Sequence, residues 1–141
     1  MADIGFSTAN GGNAVKPIDP DQAELYDGLL PATSTPTNGQ AVYFHATTGR
    51  LTASSASAAG TAKMAGLLIQ NNGRAGTYIA RGRVGGFNLS GLNYGASVYL
   101  SNTAGKLADS AGTTSVKVGV VVPMSDQDGT KVLFVNAPEL G

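Results

Sequence analysis

The sequence predicts an all-β fold: a small β-barrel or β-sandwich built from a duplicated four-strand unit, with an extended N-terminal arm. Three observations carry that expectation. After residue 36 the chain runs as short apolar segments of about five residues between Gly- and Asn-rich turns. Those segments recur as two copies of one pattern. The composition favours close-packed small side chains, with 20 Gly, no Trp and only 13% charged residues among 141, against about 25% charged in an ordinary domain.

Residues 1–36 read as the arm and residues 37–141 as the β-domain. Residues 1–16 are polar and rich in Gly and Asn, with Ile4, Phe6 and Val15 to bury. Asp19-Pro20-Asp21-Gln22 has the form of a helix start: an Asp cap, Pro at the first helical position, and Gln three residues after the cap. Gly28 would end that helix, which leaves at most two turns through Glu24, Leu25 and Tyr26. So short a helix needs a surface to lean on.

Strands follow in order. Residues 41–45 form a β-branched and aromatic run opened by Asn38-Gly39, and Thr48-Gly49-Arg50-Leu51 turns into a second short strand. Residues 62–70 make a longer apolar run ended by Asn71-Asn72-Gly73, and residues 76–84 the next, ended by Gly85-Gly86. Residues 97–101, 106–108, 115–122 and 130–136 complete the set. Asp128-Gly129 is a hairpin signal between the last two, since Gly adopts positive φ freely and Asp tolerates it.

The duplication spans residues 38–84 and 94–136. Gly39, Val42-Tyr43-Phe44 and Gly49-Arg50-Leu51 align with Gly95, Val98-Tyr99-Leu100 and Gly105-Lys106-Leu107 at an offset of 56. Gly66-Leu67-Leu68-Ile69 then aligns with Gly119-Val120-Val121-Val122, and Gly76-Thr77 with Gly129-Thr130, at an offset of 53. One unit cannot cover its own apolar face, and two packed together close a common core. Strand alternation puts Val42, Phe44, Val98 and Leu100 on the core side. It turns Tyr43 and Tyr99 to a rim, a second layer or a subunit contact.

Chemistry is hard to find. Nine Lys/Arg balance nine Asp/Glu, so net charge is zero; this argues against nucleic acid, which calls for a clustered basic surplus. Zero charge also gives little repulsion between copies and favours association. There is no Cys, so neither disulfides nor zinc-thiolate sites arise. The opening residues lack a basic and an apolar region, so no export is expected, and no apolar run reaches membrane-helix length. His45 is the single histidine and reads as a surface or rim residue. Gly-x-Ser-x-Gly and phosphate-loop motifs are absent. Asp126-Gln127-Asp128-Gly129 resembles a calcium-loop start, but Val135 stands where the bidentate Glu belongs. Asn88-Leu89-Ser90 fits a glycosylation sequon that has no use without export. Among Arg74, Arg81 and Arg83, the only local basic group, Arg81 and Arg83 share a strand face and suit a carboxylate-bearing neighbour. The expectation is a non-enzyme with no catalytic residues, metal, cofactor, small-molecule substrate, nucleic acid or membrane partner.

The order Gly-x-x-Val-Tyr-Leu, Gly-Lys-Leu, Val-Gly-Val-Val-Val and Asp-Gly-Thr-Lys-Val-Leu-Phe-Val, best over residues 94–136, resembles the tailed-phage capsid decoration or cement proteins. The resemblance implies a β-domain, often a homotrimer, on the outer surface of the virion head, clamping copies of the major capsid protein. On that reading Ile4, Phe6, Ile18, Leu25 and Tyr26 of the arm anchor on a capsid strand or a sibling subunit, with Arg81 and Arg83 as further contacts. Deletion of residues 1–30 is then expected to leave the β-domain folded and unable to bind heads. Similar modules occur in phage tails and fibres, so the alternative is a glycan-recognition module. There Tyr78, Phe87 and Tyr94 would stack on sugar.

Overall fold

A computed structural model gives the fold and describes residues 2–7, 11–124 and 127–138. The arm contributes three strands, β1 (Asp3–Ile4), β2 (Lys16–Pro17) and β3 (Glu24–Leu29). The first copy of the repeat forms β4 (Ala41–Phe44), β5 (Leu51–Ala53), β6 (Gly66–Asn71) and β7 (Ala75–Gly85). The second forms β8 (Ser97–Leu100), β9 (Leu107–Ala108), β10 (Lys117–Met124) and β11 (Gln127–Asn136). Their order is β9-β8-β10-β11-β7-β6-β4-β5, which reads the same from either end when the copies are exchanged. The all-β expectation holds, as an antiparallel sheet curled into a half-barrel.

Strand register makes the duplication physical. Ala41 lies opposite Leu67, and Leu67 opposite Ile79. In the second copy Ser97 lies opposite Val120, and Val120 opposite Phe134. Phe44 pairs with Leu51 as Leu100 pairs with Leu107. The equivalent glycines Gly66 and Gly119 sit where a Cβ would run into a backbone carbonyl, that of Ile79 in one copy and Phe134 in the other.

Two details of the repeat need correcting. Phe134 is the counterpart of Ile79, so the second hairpin is two residues longer than the first, and the Gly76-Thr77 to Gly129-Thr130 alignment is not the structural one. Nor does Asp128-Gly129 turn the hairpin. Pairing jumps from Pro123 opposite Lys131 to Met124 opposite Gln127, so the signal is realised as a bulge in which Gly129 takes φ +81°.

Apolar side chains gather in two clusters. The main core joins Ala41, Leu67 and Ile79 of the first copy to Val98, Leu100, Leu107, Val121, Leu133 and Val135 of the second. The smaller cluster holds Leu30, Val42, Leu51, Leu68 and Tyr78. The Val/Phe/Leu side therefore reaches the main core only in the second copy. In the first, Val42 enters the smaller cluster, and Phe44 is 38% exposed with its ring edge-on to Tyr78 at 5.8 Å. Tyr43 is buried and Tyr99 half-buried.

The arm is woven into this sheet. The cap signal at Asp19 yields only a 3-10 turn, Pro20–Gln22; Glu24, Leu25 and Tyr26 then run as strand, opposite Arg81, Ile79 and Tyr78. Pairing with β7 overrides the local helix signal because each strand residue gains partners that an isolated two-turn helix lacks. Between β2 and β3 the chain passes over β7 at Gly82, where an added Cβ would stand 2.7 Å from Ala23 Cβ and where φ is +140°. Ile4 and Val15 join the main core, and Leu30 the smaller one. The arm thus lies along the chain's own strand, in place of the capsid strand or sibling subunit expected from sequence.

Candidate docking face

Strands β10 and β11 present one face to the core and the other outward, whereas β6 and β7 carry buried side chains on both faces. On β10 and β11 the inward side chains are Val118, Val121, Leu133 and Val135, all buried. The outward row across the sheet is Ser97, Val120, Phe134 and Arg83, each directly opposite the next. The row beside it brings Asn136 opposite Arg81, and Arg81 opposite Glu24. Lys117, Gly119, Val120, Phe134 and Asn136 enclose a shallow depression of about 330 Å³. The Arg81 guanidinium stands over the Phe134 ring at 5.9 Å, a contact of about 0.5–1 kcal/mol at an exposed site.

The repeat shows what this face is made from. Ala41, Leu67 and Ile79, the counterparts of Ser97, Val120 and Phe134, are completely buried, each at 0% exposure. The same side of the unit is core in the first copy and only half-buried in the second, at Ser97, Val120 and Phe134. Lys117 of the second copy and Arg81 and Arg83 of the neighbouring β7 border the apolar centre, with Glu24 opposite Arg81. Arg83 Nε is enclosed and has no hydrogen-bond partner among the described residues. A partner offering apolar side chains ringed by carboxylates complements this face.

The structure scatters the other residues expected at a contact. Ile4 is 8% exposed in the main core, and Phe6 is half-buried, packed on Phe87 with ring centroids 5.6 Å apart. Ile18 donates its backbone N–H to Arg83 O at 2.9 Å, so it borders the face. Leu25 and Tyr26 are exposed on β3, at 37% and 46%. Arg81 and Arg83 share the face that alternation assigned them, whereas Arg74 precedes β7 and lies about 20 Å along the strand from Arg81 at the usual rise per residue. Sequence reading passed over Lys117, Val120 and Phe134. The signal that finds them is the repeat itself, once the register matches Val120 and Phe134 to buried Leu67 and Ile79.

Elsewhere the polar side chains serve local structure. His45 Nδ1 accepts from the backbone N–H groups of Thr47 and Thr48 at 3.2 and 3.4 Å, which fixes a turn. Asn88 Oδ1 accepts from Ser90 N and Oγ at 3.3 and 2.8 Å. Among the described residues no three His, Cys, Asp or Glu side chains converge on a metal position; Asp126 of the calcium-loop reading lies outside them. Of the three aromatics assigned to sugar stacking, Tyr78 and Phe87 are buried at 4% and 7%, and Tyr94 is open under the Lys131 ammonium. No concave aromatic platform forms from them. Comparison with protein families, with curated proteins and with solved structures finds no match to the chain.

Proposed function

We propose that this chain is a structural docking protein, not an enzyme, and that it binds a carboxylate-bearing apolar surface through the outward face of its second copy. The surface it covers is the outside of a tailed-phage head, where it links neighbouring major capsid subunits. One observation carries the reading: Val120 and Phe134 occupy positions that the first copy buries as Leu67 and Ile79. An outward face built from core positions and rimmed by Lys117, Arg81 and Arg83 has the composition of an interface centre, apolar with arginine. The capsid as partner comes from the residue order in 94–136 that resembles decoration proteins. The mechanism is adhesive. Internal pressure on a shell strains its lateral contacts, and a bound bridge adds contacts that must break together, so each of them can be modest.

Charge reversal tests the face. The double variant Arg81→Glu, Arg83→Glu should still melt cooperatively, at a somewhat lower temperature because position 81 lies opposite Glu24, and lose at least about a hundredfold in affinity for heads, since like charges meeting at an interface cost several kcal/mol. Cosedimentation with heads stripped of the protein reads both chains side by side. Full occupancy by the variant would remove this face from the contact.

A further inference from the structure

A second surface remains, on the far side of the arm. Leu30 N donates to Arg74 O at 2.8 Å, and Tyr26 and Gly28 lie opposite Tyr78 and Gly76. Alternation then aims the backbone groups of Tyr26 and Gly28 at β7, and those of Leu25, Asp27 and Leu29 away from it. Among the described residues β3 pairs with β7 alone. Its outer edge therefore carries unpaired N–H and C=O groups beside side chains of Leu25, Tyr26 and Leu29, exposed at 37%, 46% and 47%. Natural edge strands are guarded by charged side chains, Lys above all, by Pro or by a covering segment; Glu24–Leu29 carries Glu24 and Asp27 but neither Lys nor Pro.

We infer that β3 pairs with β3 of a second copy, antiparallel about a two-fold axis through Tyr26, so that two sheets become one. Charge and ring placement pick both the occupant and the register. Centring on Asp27 would set Asp27 against itself, and like charges directly opposite are destabilising; that carboxylate accepts from Thr77 Oγ1 at 2.6 Å, which holds it in place on the strand. Centring on Tyr26 sets Leu25 opposite Asp27 and Glu24 opposite Gly28, with no like charges meeting. It also sets Tyr26 against Tyr26 in a non-hydrogen-bonded pair, where side chains approach most closely. The rings of Phe44, Tyr78 and Tyr26 already form a row with centroids 5.8 and 5.9 Å apart. The two-fold continues that row through the interface from one copy to the other. Zero net charge leaves little long-range repulsion to oppose it. A contact of this kind is isologous and closes at two chains, so it gives a dimer in place of the trimer implied by the resemblance.

The unmodified chain supplies the first test. Its mass by sedimentation equilibrium should rise with concentration from that of one chain, 14.1 kDa, to that of two and no further. Leu29→Lys, which installs the missing guard, should weaken the dimer by about tenfold or more, equivalent to roughly 1.4 kcal/mol. The chain has no Cys, so single cysteines report the register without background. Tyr26→Cys brings two Cβ atoms to about 5 Å, close to the spacing that a disulfide bridges. It should cross-link under mild oxidation much faster than Asp27→Cys or the remote Tyr94→Cys. A single-chain mass throughout, assembly that continues past two chains, or cross-linking at Asp27→Cys or Tyr94→Cys that equals Tyr26→Cys would each overturn the pairing.

Discussion

Removing residues 1–30 should abolish the folded state, not merely its binding. The deletion takes Ile4 and Val15 out of the main core and Leu30 out of the smaller one, all at 8% exposure or less. Three such side chains are worth about 5–9 kcal/mol of burial at 1.5–3 each, against a total stability of roughly 5–15 kcal/mol for a domain. The loss goes further, because β1 leaves β9, and both β2 and β3 leave β7. Leu51 is then uncovered where Gly28 now packs against it. The truncated chain should show no cooperative thermal transition and should bind a hydrophobic dye. A sharp melt close to that of the full chain would mean that the arm is an appendage. Strand pairing with β7 makes the earlier expectation of a folded, non-binding truncation untenable.

The second large effect concerns two glycines at once. Gly66→Ala and Gly119→Ala should each destabilise the protein by about 3 kcal/mol or more, at the upper end of the overpacking range. In both, the new methyl group meets a backbone carbonyl of the neighbouring strand, which cannot rotate aside as a side chain would. Relief requires the ladder to open, between β6 and β7 in one case and between β10 and β11 in the other. Gly60→Ala is the control, since nothing lies within 4 Å of a Cβ there, and surface changes of that kind stay within about 0.5 kcal/mol. Urea denaturation of the three variants reads the comparison directly. Matching losses at positions 66 and 119 express the structural equivalence of the copies; a loss at one position alone would break it.

What the sequence revealed and what it hid divide along physical lines. Runs at 41–45, 76–84 and 97–101 announced strands because β-branched and aromatic residues sit between glycine turns, and β4, β7 and β8 lie there. The duplication was visible because Gly66 and Gly119 are sterically required, and such positions keep their identity in both copies. Which apolar face meets the core was not visible. Val42 and Val98 have the same local pattern and enter different clusters, a choice made by how the sheet curls. Ile79 and Val84 show the same limit. A regular strand would place residues five apart on opposite faces, yet both lie in the main core because the pairing of β7 with β3 slips by one residue between Ile79 and Arg81. The helix expected at Glu24–Tyr26 failed for a related reason: a capping signal is local, and the edge of β7 that recruits those residues is more than fifty positions away. At the docking face, alternation placed Arg81 and Arg83 together, but Phe134 joined them only through strand register across the sheet.

Electron cryo-microscopy of phage heads, reconstructed with the protein bound and after its removal, puts the central proposal at risk most directly. Added density on the outer shell is expected between neighbouring capsid subunits, with Phe134, Val120 and the two arginines turned toward the shell and carboxylates of the capsid within reach of Arg81. Heads that gain no density, or density in which the strands β10 and β11 turn that face to solvent, would contradict it.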